Sequence, residues 1–349
     1  MDRFLGEGAF AEVYRVKHKF LGRQAMKVFK STGLKLQEIK RDLTEAVLLS
    51  KIGHYNIIRV FDAGILESSI GQRGYFTMEY VPGGTLESFW HSHKNGFIPI
   101  SDTINIIRQI CMGLAVGHNK TPPIIHRDIK PQNILVGYDI DGLRIKVSDF
   151  GLAKTTNPLT MLASAKGTPA FKPPECVQNI DSSAGDVWAT GVTLYLLLTD
   201  QLPYPIESRM DLTIGSWWKH KLVPPGELNP RVDDFLESIV IRSLKLDPVE
   251  RYPTANEMLE DLMRWKPYVH NQSKEVGQIL QGDKNALGKS SGFVGSEPGK
   301  LVKEAMELSR DTNKLMEAAD LLEEAITRQS ELRDKYEYRL KLWRRGIAT

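Results

Sequence analysis

The chain has 349 residues, of which 41% are hydrophobic and 26% are charged, and its formal net charge is +3. This length predicts two or three domains with a sizeable core, and so small a net charge argues against a nucleic-acid-binding protein. The two cysteines, Cys111 and Cys176, lack metal-binding spacing, which indicates a reducing compartment such as the cytoplasm. The N-terminal residues show no signal peptide, and the longest nearly apolar run, residues 187–199, is too short to cross a membrane.

Strand patterns dominate the first part of the chain, which contains one predicted helix. Residues 13–16 and 24–29 are short runs of strand-favouring residues, whereas residues 36–51 have the apolar spacing of a helix. Two consecutive glycines, Gly83 and Gly84, mark the point at which the character of the sequence changes.

Helical patterns dominate the middle of the chain. Ser101 is the expected N-cap of a helix that runs to about Gly117. Residues 181–183 are expected to begin another helix, which contains the apolar run at 187–199. We expect this second helix to be buried.

Residues 271–299 have a different composition, with six glycines among scattered Ser, Lys and Gln. This composition is typical of a flexible linker. Because such a segment buries little apolar surface, few contacts are expected between the parts of the chain that it joins.

Residues 300–349 are predicted to form a helical tail. Its apolar positions are Leu301, Leu308, Leu315, Leu322 and Ile326. Two interpretations stay open. In one, the tail is a tetratricopeptide-like unit whose second helix contains Ala318, Leu322 and Ala325; in the other, it is a plain helical hairpin that packs on a partner protein or on the rest of the chain.

The segment from His126 to Asn133 contains groups suited to phosphoryl transfer. A carboxylate (Asp128), an ammonium (Lys130) and the amide of Asn133 lie close together, and a second carboxylate, Asp149, follows in the tripeptide Asp-Phe-Gly. Phosphoryl transfer needs an acid that orients the acceptor hydroxyl, a cation that stabilises the moving charge, and oxygen ligands for magnesium. These residue types in this order therefore indicate a phosphotransferase.

The same segment matches the H-R-D-x-x-x-x-N and D-F-G signature of protein kinases, and residues 3–265 resemble the eukaryotic-type Ser/Thr protein kinase family in the order of their motifs. The chain is most similar to the soluble bacterial branch. This resemblance implies an α+β, bilobal protein kinase fold at residues 1–268, followed by the linker and an α-helical hairpin tail. The small β-rich N-lobe would cover about residues 1–80, and the large helical C-lobe about residues 85–268.

The resemblance implies a binding site for ATP between the two lobes. The expected lining residues are Leu5, Gly6, Gly8, Val13, Ala25, Lys27, Met78, Glu79, Val81, Leu135 and Asp149. Gly6 and Gly8 belong to a glycine-rich loop whose backbone N–H groups approach phosphate oxygens. Ala11 stands in place of the third glycine of that motif.

The resemblance also assigns catalytic residues. Lys27 would bind the α- and β-phosphates and pair with a helix glutamate, for which Glu45 has the family spacing and Glu38 is the alternative. Asp128 would accept a hydrogen bond from the substrate hydroxyl and later its proton. Lys130 would stabilise negative charge on the transferred group, and a lysine at this position points to Ser/Thr substrates.

Asn133 and Asp149 are the expected ligands of Mg²⁺, because their oxygens are hard donors. The presence of Lys27 and Asp128 beside these two residues argues against an inactive kinase-like protein.

The expected activation segment lies between Asp149 and Glu175. Its candidate phosphate acceptors are Thr155, Thr156, Thr160 and Ser164. The resemblance implies that Thr168, in the same segment, approaches Asp128 and Lys130. Arg127 would be an unpaired cation before phosphorylation, so a phosphate on this segment is expected to pair with it and activate the protein. Glu175 is expected to pair with Arg251, and Asp186 is expected to hold the backbone of the catalytic loop, the segment from His126 to Asn133.

The sequence therefore predicts an ATP- and Mg²⁺-dependent Ser/Thr protein kinase that acts on protein substrates and is activated by autophosphorylation. The alternative is a kinase-fold scaffold that recruits a protein partner through the C-terminal helices. Neither a nucleic-acid partner nor a membrane segment is expected.

Overall fold

In the computed structural model, the described residues are 2–8, 11–30, 43, 49, 52–68, 71–93, 97–139, 142–150, 169–178, 180–204, 218, 221–267 and 297–348. Most of the helix predicted at residues 36–51 lies outside them. Of the two described residues in that range, Leu49 is helical and buried, with 2% of its surface exposed.

A five-stranded antiparallel sheet forms the N-terminal lobe. Its strands are β1 Arg3–Glu7, β2 Ala11–His18, β3 Gly22–Phe29, β4 Val60–Ser68 and β5 Gly71–Glu79. They are arranged across the sheet in the order β1-β2-β3-β5-β4. The runs predicted at residues 13–16 and 24–29 lie inside β2 and β3, so both strand predictions are confirmed. The last six residues of β3 are all buried, as expected of a central strand rich in apolar residues.

A larger helical lobe follows β5 and also contains a two-stranded antiparallel hairpin. Its described elements are α1 Leu86–Ser92, α2 Ile100–His118, β6 Ile134–Asp139, β7 Gly142–Val147, α3 Ser183–Thr199, α4 Pro225–Leu228, α5 Asp234–Ser243 and α6 Ala255–Arg264. Helix α3 is buried along nearly its whole length, as its apolar run predicts. Among the helices that the structure describes, none combines the length and the apolar character needed to cross a membrane.

The two predicted helix starts in this lobe have different outcomes. Ser182 caps α3, and its Oγ accepts a hydrogen bond from the Gly185 N–H at 3.1 Å. The prediction that Ser101 caps α2 is wrong, because the helix begins at Ile100 with Pro99 at its N-cap. Proline has no N–H that needs a partner and its ring fixes φ, so it suits the start of a helix.

The C-terminal tail contains three helices, α7 Glu297–Leu308, α8 Leu315–Arg328 and α9 Leu332–Arg344. It therefore differs from the predicted two-helix hairpin, and Gly299, assigned to the linker, lies inside the first turn of α7. The fully buried side chains of Ala305 and Ala318 are small, which lets α7 and α8 pack closely. The tetratricopeptide interpretation stays a prediction.

The tail packs against the N-lobe through complementary charges. Arg3 Nη1 on β1 lies 2.7 Å from Glu324 Oε1 on α8, and Arg23 Nη1 on β3 lies 3.2 Å from Asp320 Oδ2. The acidic side of α8 thus faces the basic ends of two strands. The expectation of few contacts between the parts that the linker joins is wrong. The composition of the linker carries no information about the charged surfaces of α8 and the N-lobe, which bind each other directly.

The tail also contacts the C-lobe. Arg333 at the start of α9 forms an ion pair with Asp102 in the first turn of α2. The Ser330 hydroxyl donates to the Ser92 carbonyl at 3.2 Å. The tail therefore contacts both lobes.

Candidate active site

One face of the N-lobe sheet carries several of the residues predicted to contact a nucleotide. Val13 on β2 and Phe76 on β5 are the cross-strand partners of Lys27, and Ala25 is the partner of Met78. Cross-strand partners, and residues two apart on one strand, point to the same side of a sheet. The register therefore places all five side chains on one face.

The hairpin between β1 and β2 contains the two glycines of the predicted phosphate-binding loop. The Gly8 N–H donates to the Ala11 carbonyl at 2.8 Å and closes the turn. A Cβ atom added at Gly6 would meet nothing within 4 Å. Packing within the protein therefore does not require glycine at this position, whereas close approach of a phosphate to the backbone would. The loop fits the predicted nucleotide in this respect.

Lys27 and Asp149 contact each other although they come from different lobes. Lys27 is only 4% exposed, and its Nζ lies 3.0 Å from Asp149 Oδ1. Asp149 follows β7 with φ of 63°, a left-handed conformation that is uncommon for a residue with a side chain. The pair joins an ammonium of the N-lobe to a carboxylate of the C-lobe.

The catalytic loop brings three other predicted residues together. Lys130 Nζ lies 2.7 Å from Asp128 Oδ2. The Asn133 amide nitrogen donates to Asp128 Oδ2 at 2.8 Å and to the Asp128 carbonyl at 2.7 Å. Since its nitrogen binds Asp128, the amide oxygen of Asn133 is directed away and is the atom that suits a metal ion.

A second lysine, which the sequence analysis did not assign to the site, also contacts this acid. Lys172 Nζ lies 3.0 Å from Asp128 Oδ1. Burial alone would raise the pKa of Asp128, but the positive charges of Lys172 and Lys130 outweigh it and hold that pKa well below its ordinary value. Asp128 is therefore ionised and can accept hydrogen bonds.

Buried Asp186 at the start of α3 holds the backbone of the catalytic loop, as predicted. Its two carboxylate oxygens accept the N–H groups of His126, at 2.7 Å, and Arg127, at 2.8 Å. His118 Nε2 lies 3.0 Å from the same carboxylate. Burial by itself would raise the pKa of Asp186, yet the hydrogen bond and charge of His118 hold it below the ordinary value.

Arg127 is paired in this structure, which contradicts the expectation of an unpaired cation. Its Nε donates to Asp181 Oδ2 at 2.7 Å. The Asp181 side chain is 49% exposed, so the pair lies near the surface. The sequence analysis had assigned Asp181 only to the start of a helix, and the contact depends on the position of α3 relative to the loop.

The predicted pair of Glu175 and Arg251 is present. Arg251 binds both carboxylate oxygens, at 2.7 and 2.9 Å, and is 1% exposed. It also donates to the carbonyls of Lys245 and Leu246 at 2.6 and 2.9 Å. This bidentate pair fixes the end of the predicted activation segment to the core of the C-lobe.

The segment between the lobes carries the remaining predicted nucleotide contacts. Glu79 at the end of β5 pairs with Lys146 on β7 at 2.9 Å, so its carboxylate is engaged with the C-lobe. Val81 is buried, and an isolated bridge between Thr85 and Leu135 holds β6 against the end of this segment. On β1, Leu5 is 39% exposed.

Several predicted residues lie outside the part of the chain that the structure describes. They are Glu38, Glu45, Thr155, Thr156, Thr160, Ser164 and Thr168. Their roles stay predictions.

Comparisons with known proteins agree with this architecture. A family model described as "Protein kinase domain" matches residues 1–263. Serine/threonine-protein kinase PrkC of Bacillus subtilis is 31% identical over 268 residues, which cover 74% of this chain and 39% of that protein. Serine/threonine-protein kinase PknB of Mycobacterium leprae is 31% identical over 297 residues, which cover 81% of this chain and 45% of that protein.

A solved structure with a similar fold is the crystal structure of Rad53 1-466 in complex with AMP-PNP. It matches with a TM-score of 0.58 and 29% identity over 75% of this chain and 63% of that chain. The predicted α+β fold with a sheet-rich N-lobe and a helical C-lobe is thereby confirmed. The chain spans less than half the length of the curated relatives named above.

Proposed function

Since the chain belongs to the protein kinase family, we propose that it transfers the γ-phosphoryl group of ATP to serine or threonine hydroxyls of proteins. Two groups carry this proposal, the Lys27–Asp149 pair and the Asp128–Lys130–Asn133 cluster. They lie side by side, because the N–H and the hydroxyl of Ser148, which precedes Asp149, both donate to the Asn133 carbonyl at 2.9 Å. The curated relatives are named serine/threonine-protein kinases, and Lys130 supports the same substrate class.

In the proposed reaction, ATP binds between the lobes against the face formed by Val13, Ala25 and Met78, with Leu135 on the opposite side. The backbone of the Gly6–Gly8 turn and the Lys27 ammonium would bind its phosphates. Mg²⁺, when bound, neutralises phosphate charge, and Asp149 with the Asn133 amide oxygen would hold it.

Asp128 would orient the substrate hydroxyl by accepting its hydrogen bond. As the hydroxyl oxygen bonds to the γ-phosphorus, the bond from that phosphorus to ADP breaks and the hydroxyl proton passes to the Asp128 carboxylate. Lys130 would stabilise the negative charge that develops on the transferred group. Asp186 takes no part in the chemistry, because its carboxylate binds the backbone of the loop that carries Asp128 and the side chain of His118.

Activation by autophosphorylation belongs to the same proposal. Its physical basis differs from the one expected from the sequence, because Arg127 already has a partner, Asp181. A phosphate on the activation segment would have to replace Asp181 as the partner of Arg127. That exchange is favourable because an exposed carboxylate pair contributes little, whereas a phosphate carries more charge and more acceptor oxygens.

The scaffold alternative is less well supported. The sequence analysis named five apolar positions on the tail. Leu315, Leu322 and Ile326 are at most 2% exposed, and Leu301 and Leu308 are partly buried against the same core. Most of this apolar surface is therefore already covered.

The two thiols are free, and burial raises the pKa of Cys176 to about 11, which makes it a poor nucleophile. Such thiols suit the cytoplasm, where we place the reaction.

Phosphoryl transfer by the purified chain tests the proposal. We expect incorporation of radioactive phosphate from γ-labelled ATP into a degenerate Ser/Thr peptide library, with loss of the reaction on removal of Mg²⁺ by EDTA. The Asp149→Ala variant should lose about three orders of magnitude or more in kcat. Asp149 is proposed to act together with Lys27 and Asp128, and loss of one member of such a group removes most of the activity of the whole group.

The exposed Asp234→Ala variant is the matched control and should keep normal activity. A folded Asp149→Ala protein with near-normal turnover would exclude the assignment. The same reaction without peptide, followed by mass spectrometry, should find phosphate within residues 155–168. Phosphate found only elsewhere would contradict the proposed activation.

A further inference from the structure

Lys172 lies against the proposed catalytic acid, although it is 44 residues away in sequence. It occupies the short stretch between two 3-10 turns, Pro169–Phe171 and Pro174–Gln178. Its Nζ donates to Asp128 Oδ1 at 3.0 Å and to the Arg127 carbonyl at 2.7 Å. Only 18% of its side chain is exposed, which distinguishes it from a surface lysine with a freely moving ammonium.

The hydrogen bonds to Asp128 can be counted atom by atom. A carboxylate offers about four acceptor sites, two on each oxygen. Oδ2 accepts from Lys130 at 2.7 Å and from the Asn133 amide at 2.8 Å. Oδ1 accepts from Lys172. Among the residues that the structure describes, these three groups are the donors to the side-chain oxygens of Asp128, and they leave one acceptor site, which lies on Oδ1.

We propose that Lys172 is a positioning residue for phosphoryl transfer, whose ammonium fixes the Asp128 carboxylate so that the remaining acceptor site of Oδ1 receives the substrate hydroxyl. This inference rests on the proposed kinase activity. It assigns the two carboxylate oxygens different tasks: Oδ2 is held by the catalytic loop, and Oδ1 is shared between Lys172 and the substrate.

The position of Lys172 links the acid to the segment on which a protein substrate would dock. Glu175 follows three residues later and is fixed by the bidentate bond to buried Arg251. The Lys172 backbone therefore has a rigid anchor, while its side chain reaches the catalytic loop. The geometry of Asp128 then depends on correct placement of this segment as well as on its own loop.

The test compares variants of the full chain in steady-state kinetics. Lys172→Met keeps a similar length but removes the charge and the donors, and we expect kcat to fall about 10- to 100-fold through loss of orientation at the reacting centre. KM for ATP should stay within about twofold, because the contacts of Lys172 within the described part of the chain are with Arg127 and Asp128 and not with the predicted phosphate-binding residues. Lys172→Arg should have a clearly higher kcat than Lys172→Met, because it restores a cationic donor.

Lys221→Met is the matched control, since Lys221 is an exposed lysine of the same lobe, and its kinetics should equal those of the unmodified chain. Thermal unfolding of each variant separates a loss of orientation from a loss of fold. A merely structural role would lower the melting temperature and change KM together with kcat. A positioning role changes kcat at a nearly constant melting temperature.

A double-variant cycle shows whether Lys172 acts through Asp128. In the Asp128→Asn background, Lys172→Met should cause no further loss of the residual rate, because the carboxylate that it orients is absent. An unchanged or increased kcat of Lys172→Met would overturn the inference, as would equal rates for Met and Arg or a full additional loss in the Asp128→Asn background. Inactivity of the unmodified chain would instead contradict the proposed function.

Discussion

At the scale of single residues, the site contains two backbone conformations that are costly in isolation, one in the catalytic loop at Arg127 and one after β7 at Asp149. Arg127 and Asp149 have φ of 71° and 63°, and non-glycine residues in this region cost on the order of 1–3 kcal/mol each unless their surroundings enforce it. Asp186 offsets part of this cost through its bonds to the N–H groups of His126 and Arg127. Buried His126 connects the two halves of the site, because it contacts both the Asp128 N–H and the Ser148 carbonyl.

His126 predicts a specific dependence of stability on pH. Burial lowers the pKa of His126 below its ordinary 6.5, although neighbouring acids oppose the effect. Below pH 6.5 the unfolded chain therefore binds the imidazole proton more readily than the folded protein does, so the free energy of unfolding should decrease as pH falls below that value. The decrease from this one group is at most about 1.4 kcal/mol per pH unit.

Chemical denaturation between pH 7.5 and 5.5 measures this slope. The His126→Gln variant does not titrate there, and it should be less stable at neutral pH but show a flatter dependence. His91→Gln, at an exposed histidine, should keep the slope of the unmodified protein. Identical slopes for His126→Gln and the unmodified chain would rule out this histidine as the source.

At the scale of secondary-structure elements, the sequence predicted what is local. Short runs of the sequence were enough to predict strands β2 and β3 and the start of α3. The catalytic loop was predicted from a motif whose residues are near one another in the chain. The contacts of Lys172 with Asp128 and of Arg127 with Asp181 join residues 44 and 54 positions apart, so they depend on tertiary placement. Short-range propensity also failed at α2, where the N-cap is Pro99, two residues before the expected serine cap.

The attachment of α9 to α2 predicts a measurable energetic coupling. Arg333 pairs with Asp102, and its guanidinium lies 5.8 Å from the centre of the Tyr138 ring. Both charged side chains are about one-fifth exposed, so we expect Arg333→Ala to lower the free energy of unfolding by about 1–2 kcal/mol. A double-mutant cycle with Asp102→Asn should give a coupling energy of at least about 0.5 kcal/mol.

Arg345→Ala serves as the control for this cycle, because Arg345 is exposed at the end of α9. It should change stability by less than about 0.5 kcal/mol. Strict additivity of Arg333→Ala and Asp102→Asn would mean that this contact does not hold the tail to the C-lobe.

At the scale of the whole molecule, the two lobes are joined both by their connecting segment and by the tail. A Cβ atom added at Gly83 would lie 2.6 Å from Thr327 Oγ1 of α8 and 2.3 Å from the Val136 carbonyl of β6. Glycine at this position therefore permits the close approach of the tail, the connecting segment and the C-lobe. With Glu324 bound to Arg3 of the N-lobe, one helix reaches both sides of this junction.

Removal of the tail should therefore destabilise the kinase domain. A chain of residues 1–267 would expose the surface that α8 covers and leave Arg3 and Arg23 without their acidic partners on the tail. We expect its melting temperature to be at least about 5 °C lower than that of the full chain, which corresponds to a loss of a few kcal/mol in a domain of this size.

Adding residues 297–348 as a separate peptide should raise the melting temperature in a concentration-dependent way, because a ligand that binds the folded state stabilises it by mass action. A peptide carrying Asp320→Lys and Glu324→Lys is the matched control, and its stabilising effect should be much weaker. Equal melting temperatures for the shortened and full chains would show that docking of the tail contributes nothing to the stability of the lobes.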